Sequence, residues 1–528
     1  MVLHKTTLSI LTAALLLGAC GRSSQAPAPP TRTPQPTPTT LRIEPIPPEP
    51  RPSPNLSAPV ISATQPAPAD PDLTILYTSD EHGWMSGVED GQGAAELLGL
   101  WQQEYGLGVD PTVLALSGGD LWIGPAISTW FDGEGMVQVM NQMGYSAAAV
   151  GNHEFDLGLD VLAARIAEAE FPLLSANLRQ VSDGSVPAGL GIQPYTIVQA
   201  GELQVGIIGL SATYTPLVAN PSYLVDFEFI DYATALREFV PEMRQAGAQV
   251  IVLIAHVCPD ELELLSSQVA DLGIALMGAG HCHLTYSNPY GGSAILSSGA
   301  NLQQYAFAML DYDPASGQVT ILDMGIEPNQ GGQPEAGLAE IIAGWQARTD
   351  AELEVEIGYL AADVPEGSLG MQNLITESWL WSYPNADIAL TNLGGMRDLL
   401  PAGPLTIAEL ISVMPFNNVL VEVHLTGAEV LSVLAAGRGA LAIGGMHRQS
   451  GGWVLENSGL ALTPNQVYSV LVNDFMYAGG DGYTMLAEAD PEAYQTGIDW
   501  RQPVIDWILT QESSPASPLD AAILALED

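Results

Sequence analysis

Apolar residues along the chain fall into short runs that stop abruptly at glycine and a polar side chain. Leu73–Thr78 ends at Ser79-Asp80-Glu81-His82-Gly83, and Val113–Leu116 at Gly118-Gly119-Asp120. Ala147–Val150 leads to Gly151-Asn152-His153-Glu154-Phe155-Asp156. Val250–Ala255 leads to His256, and Ile274–Met277 to Gly280-His281-Cys282-His283. Such runs predict buried strands, while Ala94–Tyr105, Met136–Met143 and Asp260–Asp271 carry apolar residues at helical spacing. Strands alternating with helices predict a largely parallel arrangement, in which ligands are met at the carboxyl ends of strands. After a strand-rich stretch to about Glu327, Gly331-Gly332 and a helical run, Ala336–Arg348, separate this half from a second apolar α/β pattern.

The first 71 residues read differently. Residues 1–20 have a weakly basic start and an apolar run from Leu8 to Leu17, too short for a permanent membrane helix. They predict a signal peptide. Its end, Leu17-Gly18-Ala19-Cys20, resembles the lipobox of bacterial lipoproteins, with Cys20 as the lipidated residue. Residues 21–71 hold 16 of the chain's 39 prolines, and proline fixes φ and donates no hydrogen bond. An extended, disordered tether is expected there.

Charge narrows the function. The chain has 60 acidic and 14 basic side chains, a formal net of −46. That field repels nucleic acid and anionic headgroups, so nucleic-acid binding is excluded and the membrane is met through a lipid anchor only. Lys5 is the single lysine, and only nine arginines follow residue 71. Three cysteines are too few for a disulfide framework in a chain of this size. Cys258 and Cys282 flank His256 and His281 and leave three readings open: a disulfide, two small buried side chains, or thiolate ligands.

Of the eight histidines, His82, His153, His256, His281 and His283 stand directly after the predicted strands, in the company of Asp80, Asp120 and Asn152. His424 and His447 have no such company. Two divalent cations need two sets of N/O ligands and a bridging carboxylate, and such a pair clamps the oxygens of a phosphoryl displacement. Asp80 and His82, two apart on one loop, suit one ion, and Asp120, alone on its loop, suits the bridge.

Asp-x-His-Gly, Gly-Asp, Gly-Asn-His-Glu-Phe-Asp and Gly-x-Gly-His-x-His, in this order, resemble the calcineurin-like metallophosphoesterases. The longer motif and the downstream ones resemble, more narrowly, the 5'-nucleotidase and UDP-sugar hydrolase family, over about residues 72–528. The resemblance implies an α/β protein: a metallophosphoesterase β-sandwich flanked by helices at 72–330, a connecting helix at 331–360, and a C-terminal α/β substrate-binding domain at 361–528. It implies two divalent metal ions, such as zinc or manganese. Asp80, His82 and His283 would hold one, Asn152, His256 and His281 the other, with Asp120 between them. His153, paired with Asp156, would stabilise the transferred phosphoryl group, and the nucleophile would be a metal-activated water. In the C-terminal half, Phe416 and Phe475 fall where the base-stacking pair lies, and Asn392, Arg397, Asn418 and Asp481 where ligand contacts lie.

Two departures stand out. Family members usually carry arginines just before the helix written here as Leu369-Gly370-Met371-Gln372-Asn373-Leu374, whereas this chain has Tyr359 and Asp363 near those positions. Ser79 replaces a more usual asparagine. The implied function is extracytoplasmic release of phosphate from nucleoside 5'-monophosphates. The alternatives are 2',3'-cyclic nucleotide phosphodiesterase or UDP-sugar pyrophosphatase activity on the same scaffold, and a nucleotide-binding lipoprotein without catalysis.

Overall fold

The computed structural model describes residues 71–449 and 451–526. The signal segment, Cys20 and the proline-rich tether up to residue 70 lie outside the described residues. Two six-stranded sheets build the N-terminal half. The first runs, in spatial order, Gln318–Pro328, Gln304–Asp313, Leu73–Thr78, Val113–Ser117, Tyr145–Ala149, Leu173–Leu174. Its last four strands are parallel, and Gln304–Asp313 pairs antiparallel with Leu73–Thr78. The second runs Thr285–Tyr290, Ser293–Ser298, Leu276–Gly278, Val250–His256, Leu203–Ser211, Tyr195–Ala200. Its four inner strands are parallel and both outer ones antiparallel.

The parallel strands read as almost unbroken apolar runs because both of their faces are buried. Leu73, Ile75, Tyr77, Leu114 and Leu116 meet Val205, Ile207, Val252, Ile254 and Leu276 between the sheets. On the outer face of the first sheet, Trp101, Met136 and Met140 cover Leu76, Ala115 and Ala148. On that of the second, Leu236, Val240, Leu262 and Leu265 cover Ile208, Leu210, Ile251 and Leu253. One side chain ties the sheets together below the loops that matter. Tyr77 donates its hydroxyl hydrogen to the Ala279 carbonyl at 3.0 Å, and a Cβ on Gly118 or Gly278 would collide with it.

The C-terminal half carries a five-stranded sheet in the order Leu441–Gly444, Ile388–Asn392, Val467–Asn473, Val419–Thr426, Tyr494–Asp499. Helices Leu369–Ser382 and Gln502–Thr510 pack on one face through Met371, Leu374, Trp379, Val504 and Ile508. Between the halves, helix Ala336–Leu353 starts where the Glu335 carboxylate accepts from the Leu338 amide. Its Leu338 and Trp345 join the N-terminal core, and Leu353 meets Ala126 and Ile411.

Local pattern and structure differ in three places. The parallel reading holds for four successive strands of each sheet, and the antiparallel strands Gln304–Asp313, Gln318–Pro328, Thr285–Tyr290 and Tyr195–Ala200 flank them. Asp260–Asp271 is one helix, Pro259–Gln268, followed by a turn at Ala270–Leu272, because Val269 leaves helical geometry at φ −118. The helix begun at Ala336 runs past Arg348 to Leu353, and Glu356–Leu360 is a strand paired antiparallel with Gly403–Thr406.

Candidate functional site

The loops after the inner strands of both sheets converge at one end of the N-terminal half. Their backbones are unusual: Asp80, His82, Asp120, His281 and His283 have φ of 53, 47, 59, 69 and 53. The left-handed region costs a non-glycine residue of order 1–3 kcal/mol and is found where surrounding structure and function over-determine it.

Two groups of donor atoms result. Asp80, His82 and His283 form one, with the His82 and His283 Nε2 atoms 3.0 Å apart and Asp80 Oδ1 3.6 Å from His283 Nε2. Asp120, His256 and His281 form the other, with Asp120 Oδ2 2.9 Å and His281 Nδ1 3.2 Å from His256 Nε2. Asn152 joins them, its Oδ1 lying 2.9 Å from His281 Nδ1 and 3.2 Å from His256 Nε2. His82 Nδ1–H donates to the Ile123 carbonyl at 2.9 Å, and His256 Nδ1–H to that of Gly118 at 3.0 Å. Each therefore turns the lone pair of Nε2 into its group, the usual arrangement behind a metal-binding imidazole.

The surrounding charge is unfavourable without cations. Burial, reinforced by Asp120 against the opposing pull of His256, pushes the Asp80 carboxyl up to about 7. Burial and the Asp120 charge likewise carry Glu154 up to about 7. Imidazole lone pairs, buried carboxylates and an amide oxygen converging in two groups fit two divalent ions of the N/O-binding kind. The sulfurs of Cys258 and Cys282 are not donors, because they are bonded to each other, with Cα atoms 5.4 Å apart.

His153 stands apart from both groups. Its Nδ1–H donates to Asp156 Oδ2 at 2.5 Å, its Nε2 lies 3.9 Å from Asp120 Oδ2, and Phe416 stacks on its ring at 5.8 Å and 22°. Burial pulls its pKa down, but the Asp120 and Asp156 carboxylates outweigh that and hold it above the usual value.

A cavity of about 260 Å³ opens directly above the donors. Asp120, Asn152, His153, Asp156, His281 and His283 form one wall, and Asn392, Gly394, Gly395, Arg397, Phe416, Asn418, Phe475 and Asp481 the other. Asp80, His82 and His256 lie beneath it, fully buried. Asn473 Nδ2–H donates to Asn392 Oδ1 at 2.9 Å, and Asn392 Nδ2–H to Asp481 Oδ2 at 2.8 Å. This chain of amides fixes Asn392 and leaves the second oxygen of Asp481, a cavity-lining residue, without a hydrogen-bond partner among the described residues.

Residues 347–488 match the family model described as the 5'-nucleotidase C-terminal domain. The chain is similar to Protein UshA of Escherichia coli (strain K12), 27% identical over 85% of this chain and 92% of that protein. It is also similar to the 5'-nucleotidase of Homo sapiens, 26% identical over 80% of this chain and 86% of the human one. A 5'-nucleotidase precursor from Thermus thermophilus, known from its crystal structure, superposes with a TM-score of 0.71 at 25% identity, over 84% of this chain and 97% of that one. Over most of its length the chain is similar to the 5'-nucleotidases.

These likenesses describe an N-terminal metallophosphoesterase domain followed by a 5'-nucleotidase C-terminal domain. Against the usual family pattern, the arginine shortfall has a clear position. Neither Tyr359 nor Asp363 lines the cavity: the Tyr359 amide donates to Ser513 Oγ, and Asp363 accepts from the Ala402 amide. Among the described residues Arg397 is the only arginine in the cavity wall. Arg165, Arg179, Arg237 and Arg501 each pair with an acid, whereas Arg397 has no such partner among the described residues. His424 and His447 lie outside the site, beside surface acids.

Three features of this site went unread in the sequence. Glu154, fully buried, accepts from the amides of Gly151, Asp120 and Leu121 at 2.6, 2.9 and 2.8 Å, locking the Asp120 loop to the Asn152 loop. Glu81, also buried, accepts from the hydroxyls of Thr78 and Ser117 at 2.5 and 3.0 Å. Val218 and Asn220 enter the cavity wall from a short turn whose spacing carries no periodic signal. The two glutamates could have been suspected from their places inside the motifs, but nothing local announces a buried carboxylate.

Proposed function

We propose that the protein is a dimetal phosphohydrolase that releases phosphate from nucleoside 5'-monophosphates outside the cytoplasm, held to the membrane by a lipid on Cys20. The observation that carries this reading is a single cavity with two N/O donor groups at its floor and a pair of phenylalanines with one free arginine above them. A disulfide between Cys258 and Cys282 supports an oxidising compartment.

Asp80, His82 and His283 would hold one ion, and Asn152, His256 and His281 the other, with Asp120 shared. When bound, the ions supply Lewis-acid stabilisation of phosphoryl oxygens and acidify water. The chain's own residues do the rest. Phe416 and Phe475 take the planar base between them, as aromatic pairs do for any ring with a π-face. The free oxygen of Asp481 accepts from a sugar hydroxyl, and Arg397 draws the phosphate inward. His153, oriented by Asp156 and backed by Phe416, presents Nε2 to the phosphoryl oxygens and donates to the charge that develops there. Water oxygen forms the new bond to phosphorus, the ester bond breaks, and the nucleoside 5'-oxygen leaves with a proton.

Phosphate release by the purified protein, supplied with Mn²⁺ or Zn²⁺, tests this over AMP, 3'-AMP, 2',3'-cyclic AMP, UDP-glucose and bis(p-nitrophenyl) phosphate. A coupled phosphatase reports on the diesters. Preference for AMP is expected. Preference for the cyclic nucleotide or UDP-glucose would move the substrate assignment while keeping the metal chemistry. No turnover of any of them, with both ions bound, would end the catalytic reading.

A further inference from the structure

Five of the proposed donors, Asp80, His82, Asp120, Asn152 and His256, follow inner strands and are buried to within 3% of complete. His281 and His283 are held differently. They stand on a surface segment in which Cys282, His283 and Leu284 are exposed, and both have left-handed backbone. That segment supplies one imidazole to each donor group. Around the two histidines its backbone ties are Gly280 N–H to Val257 O, Cys282 N–H to Gly280 O and His281 N–H to the Asp80 carboxylate, and beyond them the Leu284 carbonyl accepts from Gly299 N–H and the Ser297 hydroxyl. In its middle, Cys282 is bonded to Cys258, which is buried, lies two residues beyond His256 and caps helix Pro259–Gln268.

We propose that the Cys258–Cys282 disulfide is a positioning element of the metal centre, an exposed clasp that holds His281 and His283 against the donors fixed on the sheets. The inference rests on the metal-donor reading above. A loop joined covalently to the strand end that carries His256 has less freedom to lose when an ion binds, so its donors are preorganised and affinity rises. Exposure of Cys282 makes the clasp reversible. A small dithiol attacks Cys282 Sγ as thiolate, and Cys258 leaves as a thiolate and takes a proton. The second dithiol sulfur then displaces Cys282, so the protein gains two electrons and two protons and the dithiol closes to a cyclic disulfide. The centre loosens under reducing conditions and is restored by oxidation.

Affinity for Zn²⁺, measured by competition with a chromogenic chelator, tests this on the full-length wild type and on C258A/C282A. The expected result is a roughly 10–100-fold loss of affinity at both sites in the double variant. Wild type reduced with a dithiol, alkylated and freed of reagent should show the same loss, and the same treatment should leave the double variant unchanged. A lower melting temperature with unaltered Zn²⁺ affinity would make the bond merely structural and overturn the proposal. Should the double variant fail to fold, the reduced and alkylated wild type, checked by circular dichroism, decides. Failure of oxidised wild type to bind two ions would instead overturn the metal-donor reading, and the clasp with it.

Discussion

Glu154 and His153 are neighbours with opposite tasks, and their loss should be felt in different observables. Glu154 gathers three backbone amides, so Glu154→Gln turns an amide NH₂ toward at least one of those donors. A buried N–H left without an acceptor costs roughly 1–3 kcal/mol, to be read as a lower midpoint in denaturant. Metal content should fall as well, because the Asp120 loop is no longer pinned. His153→Ala should leave metal content near two per chain and lower kcat by roughly 10²–10⁴-fold. Loss of metal in that variant would make His153 a ligand. At this scale the sequence was most legible where a strand ends, because an apolar run, a glycine and a ligand-type side chain sit consecutively in the chain. It was least legible for Glu81 and Glu154, whose burial depends on partners supplied by other loops.

Among elements, the decisive ones are two sheets that must end at the same height for their loops to meet. Tyr77 sets that height by spanning from the first sheet to the Ala279 carbonyl at the end of the second, through gaps left at Gly118 and Gly278. A Gly278→Ala substitution forces a methyl into the tyrosine ring. Overpacking of this kind costs roughly 1–3 kcal/mol, and a lower melting temperature together with weaker metal binding is expected. A variant with unchanged stability would mean that the sheets slide freely and that Tyr77 is not a spacer. The inner strands could be placed from their apolar runs because two-sided burial leaves no polar alternation. The antiparallel margins could not, since Thr285–Tyr290 and Gln318–Pro328 are largely surface strands with mixed polarity. Asn220 and Val218 escaped for a related reason: a turn that reaches across a cavity is specified by distant contacts, not by period.

For the whole molecule, charge decides behaviour in solution. A net of −46 surrounds a cavity with one arginine and proposed dianionic substrates. Self-repulsion opposes compactness and long-range repulsion slows capture of AMP, and both are screened as the Debye length shrinks from about 30 Å at 0.01 M salt to about 8 Å at 0.15 M. Melting temperature and kcat/KM for AMP should therefore both rise over that range, the latter more steeply than for a singly charged diester. A kcat/KM that falls with salt would point to a local positive field stronger than the global negative one. The segment that carries His281 and His283 has a consequence of its own. On the proposed ligand sets, whichever ion arrives first would restrict the imidazole meant for the other, so the second site would fill more readily. Native mass spectra taken along a Zn²⁺ titration should show empty and doubly loaded protein with little in between, and a dominant singly loaded species would show that the two sites fill independently. A cell short of metal would then hold fewer complete enzymes rather than many half-filled ones.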